Sequence, residues 1–452
     1  MKKLIKSICF LLVTVCVSSM FIGCGGPSKN VLYVLSFKPE YNEIFEEVNE
    51  IFLAENPEIK SVDYKTVDTN NYNTVLTSRI QSKYLDVFTS EVTFMMQGNN
   101  AYMQPLTKKA YMDEIKEEYL TLGSFYDPSA NVDPALYTLP IEQCANVVYY
   151  NKDIFSEYHL SVPTTWDEFI NVLNVFKEAV EYPVVENGKA LTKIECPIIF
   201  GGKSEWPTMT VLNSVVADVI EINQPDFFDE IKNYDQNTSI RFDNANWVEA
   251  FTKTQKIGEY AEATIYGLDY SFAATYFSIG NPVTKKMYPM MFDGTWVQSQ
   301  IKADFEVGAF PLPATNTVVN ENNKKNLAVK TGASLSVFNR SSKVEYAEKY
   351  LEIFFRDEIY SKFINFTKTP SVKKTVEQTD EVTNSIFDKT KYNFVEAYDS
   401  RMPRYFPLVS AAEVTSLMKG LVTPESVASA LQQQVELNKV DWQKYTLLAH
   451  TK

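Results

Sequence analysis

Between residues 31 and 88 the hydrophobic positions change period several times, which predicts alternating strands and helices. Residues 31–35 and 84–88 are short apolar runs that suit buried strands, and apolar and polar side chains alternate over residues 62–66. Two stripes at helical spacing lie between these runs: Tyr41, Ile44, Phe45, Val48, Ile51 and Phe52, then Tyr72, Val75, Leu76 and Ile80. This order predicts right-handed crossovers and a parallel sheet.

Two predicted loops lie at the carboxyl ends of these strands, where ligands of parallel sheets bind. The loop after residues 31–35 carries Phe37 and Glu40, and the loop after residues 84–88 carries Ser90 and Glu91. These four side chains are candidates for ligand contact. Serine and acidic residues are also favoured in the first turn of a helix, so a capping role for Ser90 and Glu91 stays open.

Residues 139–176 combine a buried strand with two helices whose starts are marked in the sequence. Residues 145–150 are β-branched and aromatic, as expected for a strand covered on both faces. Asn151 is placed to cap a short helix over residues 152–158. Thr165 and Glu168 have the spacing of a capping box, and the apolar residues that follow keep the helical period.

The order LP…YYNKDIF…PTTWDEF within residues 139–176 resembles the signature of extracellular solute-binding proteins that serve carbohydrate-uptake ABC transporters. Similar blocks follow the family order elsewhere in the chain, at residues 86–106, 288–298, 310–313 and 331–355. The resemblance implies an α/β, two-lobed periplasmic-binding-protein-like fold of type II, with a ligand cleft between the lobes. It also implies the lobe limits, which are residues 31–142 with 331–378 for one lobe and residues 143–330 with 379–452 for the other.

The resemblance places Glu142 and Gln143 where the chain crosses between the lobes and lines the cleft. A surface hairpin is the alternative for this segment, although apolar residues flank it on both sides. Gly332 lies in the block where the chain would re-enter the first lobe. Its missing side chain would let the backbone approach a ligand closely, or would simply serve a turn.

Two tryptophans follow predicted strands and are candidates for stacking on a sugar. Trp206, with Glu205 before it, comes after a strand at residues 196–202, and Trp296 comes after a strand at residues 290–292. Aromatic faces can pack against the apolar face of a sugar ring, while carboxylates such as Glu205 and Asp293 accept its hydroxyl groups. A place in the core is the alternative for Trp206. Trp247 is assigned to the core, on a helix over residues 243–260 that Asp243 would cap.

Composition sets limits on the class of protein and on its partners. A chain of 452 residues that is 45% hydrophobic and 13% aromatic is too long for one core and too apolar for a disordered protein. Its formal net charge of −14 repels nucleic acid and anionic lipid, which favours a neutral or cationic ligand. A sugar is neutral.

The N-terminus has the pattern of a bacterial export signal. Lys2, Lys3 and Lys6 precede an apolar run over residues 8–20, and Gly23 precedes Cys24. This order resembles the lipobox of lipoproteins, which implies cleavage after residue 23, lipidation of Cys24 and a tether over residues 24–30. An ordinary secretory leader with a chance cysteine is the alternative. Loss of the three lysines would bring the net charge to about −17.

Catalytic and metal-binding patterns are scarce. Outside the leader region only Cys144 and Cys196 remain, which could form a disulfide or act as small buried hydrophobic residues. The histidines are His159 and His450, and the chain contains no nucleotide-binding, hydrolase or metalloprotease motif. No cofactor or metal is expected. A glycosidase needs only two carboxylates, so that alternative stays open.

The sequence therefore predicts a monomeric, lipid-anchored solute-binding protein on the extracellular face of the cell membrane. It would bind a carbohydrate, with the aromatic content favouring an oligosaccharide, and deliver it to the permease of an ABC transporter. Nucleic acid is not expected among its partners. Two alternatives come from other classes of protein, namely a secreted glycosidase and a surface sensor or adhesin lipoprotein with the same fold.

Overall fold

The computed structural model describes residues 26–91, 99–127, 132–232, 240–317, 324–402 and 408–437. The leader, Cys24 and the start of the predicted tether lie outside the described residues. The strands are β1 (Val31–Ser36), β2 (Ser61–Thr66), β3 (Val87–Ser90), β4 (Ser124–Asp127), β5 (Val132–Leu136), β6 (Thr138–Pro140), β7 (Gln143–Asn151), β8 (Val185–Glu186), β9 (Lys189–Ala190), β10 (Ile198–Ile199), β11 (Met290–Gly294), β12 (Val307–Phe310), β13 (Lys325–Thr331), β14 (Ser334–Val337) and β15 (Tyr392–Glu396).

The α-helices fall between and after these strands and pack on their faces. They are α1 (Asn42–Glu55), α2 (Thr69–Ser82), α3 (Glu117–Leu122), α4 (Lys152–Glu157), α5 (Trp166–Glu181), α6 (Trp206–Asn223), α7 (Phe227–Lys232), α8 (Ala245–Gly258), α9 (Tyr270–Ile279), α10 (Val344–Phe354), α11 (Asp357–Thr367), α12 (Glu381–Ile386), α13 (Tyr398–Arg401), α14 (Ala411–Met418) and α15 (Pro424–Leu437). Short 3-10 turns at Pro39–Tyr41, Gly202–Ser204 and Thr295–Gln300 border the site described below.

The first sheet has the order β2-β1-β3-β14-β6. As predicted, β1 pairs in parallel with both β2 and β3. The third strand begins at Val87 and not at residue 84, and at Asp86 the side-chain carboxylate accepts the backbone N–H of Tyr33 at 2.8 Å. The strand also ends later than predicted, because Ser90 pairs with Ser334 of β14 and so lies in the strand and not in a loop.

The second sheet has the order β10-β11-β7-β13-β15, with β12 also paired to β7. The long strand β7 is antiparallel to its neighbours β11 and β13, and it is buried over most of its length, as predicted. We call the first sheet with its core the first body, and the second sheet with its core the second body.

Each body has its own hydrophobic core, and each core is discontinuous in sequence. The core of the first body draws on residues 32–141 and 333–376, and that of the second on residues 144–329 and 386–435. The chain passes between the bodies three times, from β6 to β7, from β13 to β14, and between α11 and α12. The first two crossings are short and are called the two passages below. These short passages place Glu142 and Gly332 side by side. The lobe limits given above stay a prediction.

Local signals at helix starts are mostly confirmed. The Asn151 side chain caps α4 by accepting the N–H of Ile154 at 3.0 Å, and Thr165 and Glu168 form the expected capping box on α5. The predicted cap Asp243 is wrong. Asn244 caps α8, because the Asp243 carboxylate is taken by the Arg241 guanidinium at 2.6 Å.

Cys144 and Cys196 are both buried and free, so the disulfide alternative is wrong. In the part of the chain that the structure describes, no helix is both long enough and apolar enough to span a bilayer.

Candidate ligand-binding cleft

Three aromatic rings meet at the edge of the second body that faces the first. The ring centroids of Trp206 and Trp296 are 5.5 Å apart and those of Trp206 and Tyr270 are 5.3 Å apart, both edge to face. The two tryptophans predicted from separate parts of the sequence are therefore neighbours. Trp206 is half-buried and packs against the second core, whereas Trp296 is only 8% exposed and is one of the buried residues of that core.

Tyr270 was not predicted, although a glycine pair in the sequence indicates that another element comes close to the end of this strand. A Cβ on Gly201 would lie 2.1 Å from the Cα of Tyr270, so α9 can approach the end of β10 only because residue 201 has no side chain. The same approach brings the Tyr270 ring against Trp206. Glycines at the end of a strand thus indicated a close contact without showing which residue makes it.

The indole of Trp296 lies directly over Gly294 at the end of β11. A Cβ on Gly294 would be 2.0 Å from two ring atoms of Trp296, which is closer than any real contact. The glycine in the predicted Asp293-Gly294-Trp296 block is therefore required for the position of the ring.

We expect Gly294→Ala to lower the free energy of unfolding by roughly 1–3 kcal/mol, because the Trp296 ring must leave its place. Gly267→Ala is the matched control, since a Cβ there meets nothing within 4 Å. Urea unfolding of the two variants measures the difference. Equal midpoints for both would contradict the observed position of the ring.

Lys38 from the first body reaches this aromatic cluster. Its Nζ lies 5.9 Å from the Trp296 ring centroid, 3.4 Å from Glu40 Oε1 and 3.7 Å from Glu142 Oε1. Burial by itself lowers the pKa of Lys38, but the Glu142 and Glu40 carboxylates outweigh it and raise the pKa above its ordinary value. The ammonium is therefore charged and joins elements of both bodies. Its neighbours Phe37 and Glu40 were predicted, whereas Lys38 was missed.

Glu142 is completely buried at the first passage between the bodies. Its carboxylate accepts the hydroxyl of Tyr41 and, at 2.8 Å, the backbone N–H of Ala333. A Cβ on Gly332 would lie 2.3 Å from Glu142 Oε1. Gly332 therefore makes room for the Glu142 side chain, and the two predicted residues join the two passages to each other.

Gln143 points to the other side of this passage. Its Oε1 accepts the Tyr119 hydroxyl at 3.0 Å, and the side chain borders a groove of about 480 Å³ between the two bodies. The other residues of that groove come from α3, from β13 with the adjoining Lys324, and from the segment around β15. The structure thus separates Gln143 from Trp206 and Trp296, with which it was grouped in the prediction.

Two predicted residues of the first body lie inside it. Ser90 is 1% exposed, and its hydroxyl bonds to Ser336 Oγ at 2.8 Å and to Thr138 Oγ1 at 3.1 Å. Phe37 is buried with its ring edge-on to Tyr72. The predicted loop position of Ser90 is wrong, because β3 continues through it to pair with β14.

Glu91 and Glu205 lie at the ends of their elements, where the prediction put them. Burial lowers the pKa of Lys330, but the charges of Glu91 and Asp399 outweigh it and raise the pKa. The Lys330 ammonium lies 5.2 Å from the Trp296 ring centroid. Glu205 is exposed immediately before α6, with φ of 60° and ψ of −47°, a strained conformation for a residue other than glycine.

Asp293 is fully buried beside Trp296. Its Oδ1 accepts the N–H of Gly294 at 2.7 Å, while its Oδ2 makes no hydrogen bond. Burial raises the pKa of this carboxyl to about 7, a rise that the Gly294 N–H only partly opposes. The group can therefore act as donor or acceptor near neutral pH. Among the described residues, no cluster of His, Cys, Asp and Glu has the arrangement of a metal site.

Known proteins resemble this chain in sequence and in fold. The multiple sugar-binding protein of Streptococcus mutans is 23% identical over 351 residues, which are 75% of this chain and 74% of the relative. A chitin oligosaccharide binding protein superposes with a TM-score of 0.68 at 20% identity, and the binding protein RafE in complex with raffinose with 0.67 at 19%. These alignments cover 92% and 91% of this chain and all of both structures.

The fold prediction is confirmed by these comparisons, since the superposed proteins share the two-lobed α/β architecture. Residues 36–360 match the family described as bacterial extracellular solute-binding protein. That range includes the two passages that bring Glu142 and Gly332 together and every predicted ligand-contacting residue. The chain belongs to the bacterial extracellular solute-binding protein family.

Proposed function

We propose that the protein captures a carbohydrate, and specifically an oligosaccharide, in the cleft around Trp206 and Trp296 and delivers it to the permease of an ABC transporter. Anchorage by a lipid on Cys24, facing the cell exterior, is part of this proposal. Relatives named for binding raffinose, chitin oligosaccharides and multiple sugars support the ligand class. The observation that carries the proposal is the meeting of two indoles and a tyrosine beside buried carboxyl groups.

The two kinds of group would recognise different sides of a sugar. The indole of Trp206 is the more exposed and offers a face for the C–H side of a ring, while Asp293 and Glu205 take hydroxyl groups. Across the cleft, Lys38, Glu40 and Glu91 supply the polar groups of the first body. Contacts from both bodies to one ligand would favour a closed form that a permease can distinguish from the open form.

The placement of the other predicted residues refines this assignment. Glu142 and Gly332 support the cleft by joining the two passages, and Gln143 faces the opposite groove. Ser90 and Phe37 would act by holding the first sheet together and not by touching the ligand. The relatives named above are binding proteins, which weighs against the glycosidase alternative.

Binding of sugars to the purified mature protein tests the proposal. We expect one of raffinose, stachyose, maltose or chitin oligosaccharides to raise the melting temperature, since a ligand at a hundred times its Kd adds about 2.7 kcal/mol to folding stability. We expect Trp206→Ala to weaken the affinity measured by titration calorimetry at least tenfold. Trp166→Ala, on α5 and outside the cleft, is the control. The proposal is wrong if no sugar in the series shifts the transition.

A further inference from the structure

Two asparagines of the second body are buried with amide groups that have no partner. Asn146 is 1% exposed, and neither its oxygen nor its nitrogen makes a hydrogen bond. Asn213 is 0% exposed, and its Nδ2 has no acceptor. Buried polar groups are nearly always hydrogen-bonded, because leaving them unpaired costs free energy. Two such amides in one region therefore require an explanation.

Asn146 lies under the indole of Trp296. It stands opposite Gly294 in the antiparallel pair of β7 and β11, and residues that face each other in this way project to the same side of a sheet. The Trp296 ring occupies the space directly above Gly294. The ring therefore covers the side of the sheet to which the Asn146 amide projects.

Asn213 borders the same region from α6. It follows Trp206 by two helical turns and so shares a face of the helix with it. The turn beyond it is fixed to the sheet, because the Asn326 amide donates to the carbonyl of Ala217 at 2.9 Å. Ala217 in turn packs with Ala328, which lies beside the Val329–Ala145 pair and hence next to Asn146.

Charged groups join Asn213 to the cleft as well. Its Oδ1 accepts the backbone N–H of Asp399 at 3.2 Å. Asp399 acts electrostatically on Lys330, whose ammonium stands over Trp296. We call Asn146, which lies under the Trp296 ring, and Asn213, which is linked to Lys330 through Asp399, the floor of the cleft.

We propose that Asn146 and Asn213 bind the hydroxyl groups of the terminal sugar ring of the ligand, which takes the place of the Trp296 indole over Gly294. This inference rests on the proposed function and names two residues that would determine which sugar binds. A carboxamide offers a donor and an acceptor side by side, which matches neighbouring hydroxyl groups that can each do both. Because the amides carry no charge, the floor selects an uncharged ring rich in hydroxyls. The indole moves aside as the ring enters.

A role in ligand binding and a role in packing predict opposite results for one substitution. Leucine has the same number of side-chain heavy atoms and the same branching as asparagine, although it is bulkier, and it leaves no unpaired polar atom. If Asn146 serves the ligand, Asn146→Leu keeps or raises the melting temperature of the unliganded protein while it weakens sugar binding. If Asn146 serves the fold, the same change lowers the melting temperature and leaves the affinity unaltered.

Calorimetric titration and thermal unfolding of the mature protein decide between these roles. With a sugar that binds the wild type, we expect Asn146→Leu to raise Kd at least tenfold without a fall in the unliganded melting temperature. Asn213→Leu should raise Kd to the same extent, but it also removes the acceptor of the Asp399 N–H and should therefore lower the melting temperature slightly. Asn339→Leu is a control for affinity, since its Oδ1 is also buried and unpaired but lies beyond β14, at the end of the first body away from the cleft. Its Nδ2 donates to the carbonyl of Ala101 at 2.8 Å, so this variant should lose some stability and no affinity. If a leucine variant does not fold, serine at the same position gives the same comparison.

The possible failures are distinguishable. Wild-type affinity in both leucine variants overturns the inference and leaves the proposed function standing. A fall in melting temperature with unchanged affinity does the same. Failure of the wild-type protein to bind any sugar in the series is a failure of the proposed function itself.

Discussion

Glu142→Ala is expected to lower the free energy of unfolding by roughly 3–5 kcal/mol, the usual cost of removing one partner from a buried charge pair. The substitution leaves the Tyr41 hydroxyl and the Ala333 N–H without their acceptor, and it takes one of two nearby carboxylates from the Lys38 ammonium. All these groups lie where the two passages between the bodies meet. The loss should therefore affect the arrangement of both bodies.

Chemical denaturation of the unliganded protein measures this effect. Glu118→Ala is the control, because Glu118 pairs with Lys389 across the two bodies at 3.7 Å but both side chains are exposed. An exposed pair contributes little, so the control should unfold at nearly the wild-type midpoint. Similar losses of stability in the two variants would show that the buried network at Glu142 contributes no more to the free energy of unfolding than the exposed pair does.

Asp293→Asn is expected to raise the free energy of unfolding, in contrast to Glu142→Ala, and the size of this gain should depend strongly on pH. Burial raises the pKa of Asp293 from 3.8 to about 7, so the folded protein holds this proton after the unfolded chain has lost it. The stability contributed by the protonated group is complete below pH 3.8 and is lost as the pH rises to about 7. At 1.36 kcal/mol for each pKa unit, the asparagine variant should exceed the wild type by roughly 2–4 kcal/mol at pH 8.

Urea unfolding of wild type and variant at several pH values between 4 and 8 tests this expectation. The difference in stability should shrink as the pH falls and nearly vanish at pH 4, where both side chains are uncharged. Asp304→Asn, at an exposed position, should show no such trend. A difference that is constant over the whole range would mean that Asp293 is already ionised at pH 4.

Sequence reasoning succeeded where the signal is local. The capping box at Thr165 and Glu168 needs only four consecutive residues, and the structure contains it. The cap at Asp243 failed because a neighbouring arginine competes for that carboxylate. Strand ends are harder, since β3 ends where its pairing with β14 ends, and that partner lies more than two hundred residues away in the chain.

The candidate site was predicted in outline and not in detail. Trp206 and Trp296 could be identified because each follows a strand and the glycine at 294 accompanies the second. Lys38 was missed because its counter-charge at Glu142 comes from a distant part of the chain. From the sequence, Asn146 is predicted only to lie in a buried strand. The three-dimensional structure is needed to show that its amide has no hydrogen-bond partner. Pairing across the fold is the information that a single sequence lacks.

The discontinuous cores have a consequence for biogenesis. The first body needs residues as late as 376, and the second needs residues as late as 435. A ribosome must therefore synthesise nearly the whole polypeptide before either half can close, and contacts so distant in sequence form slowly. For most of its synthesis the chain therefore has no complete core in either body, and its stable fold comes after translation and not during it.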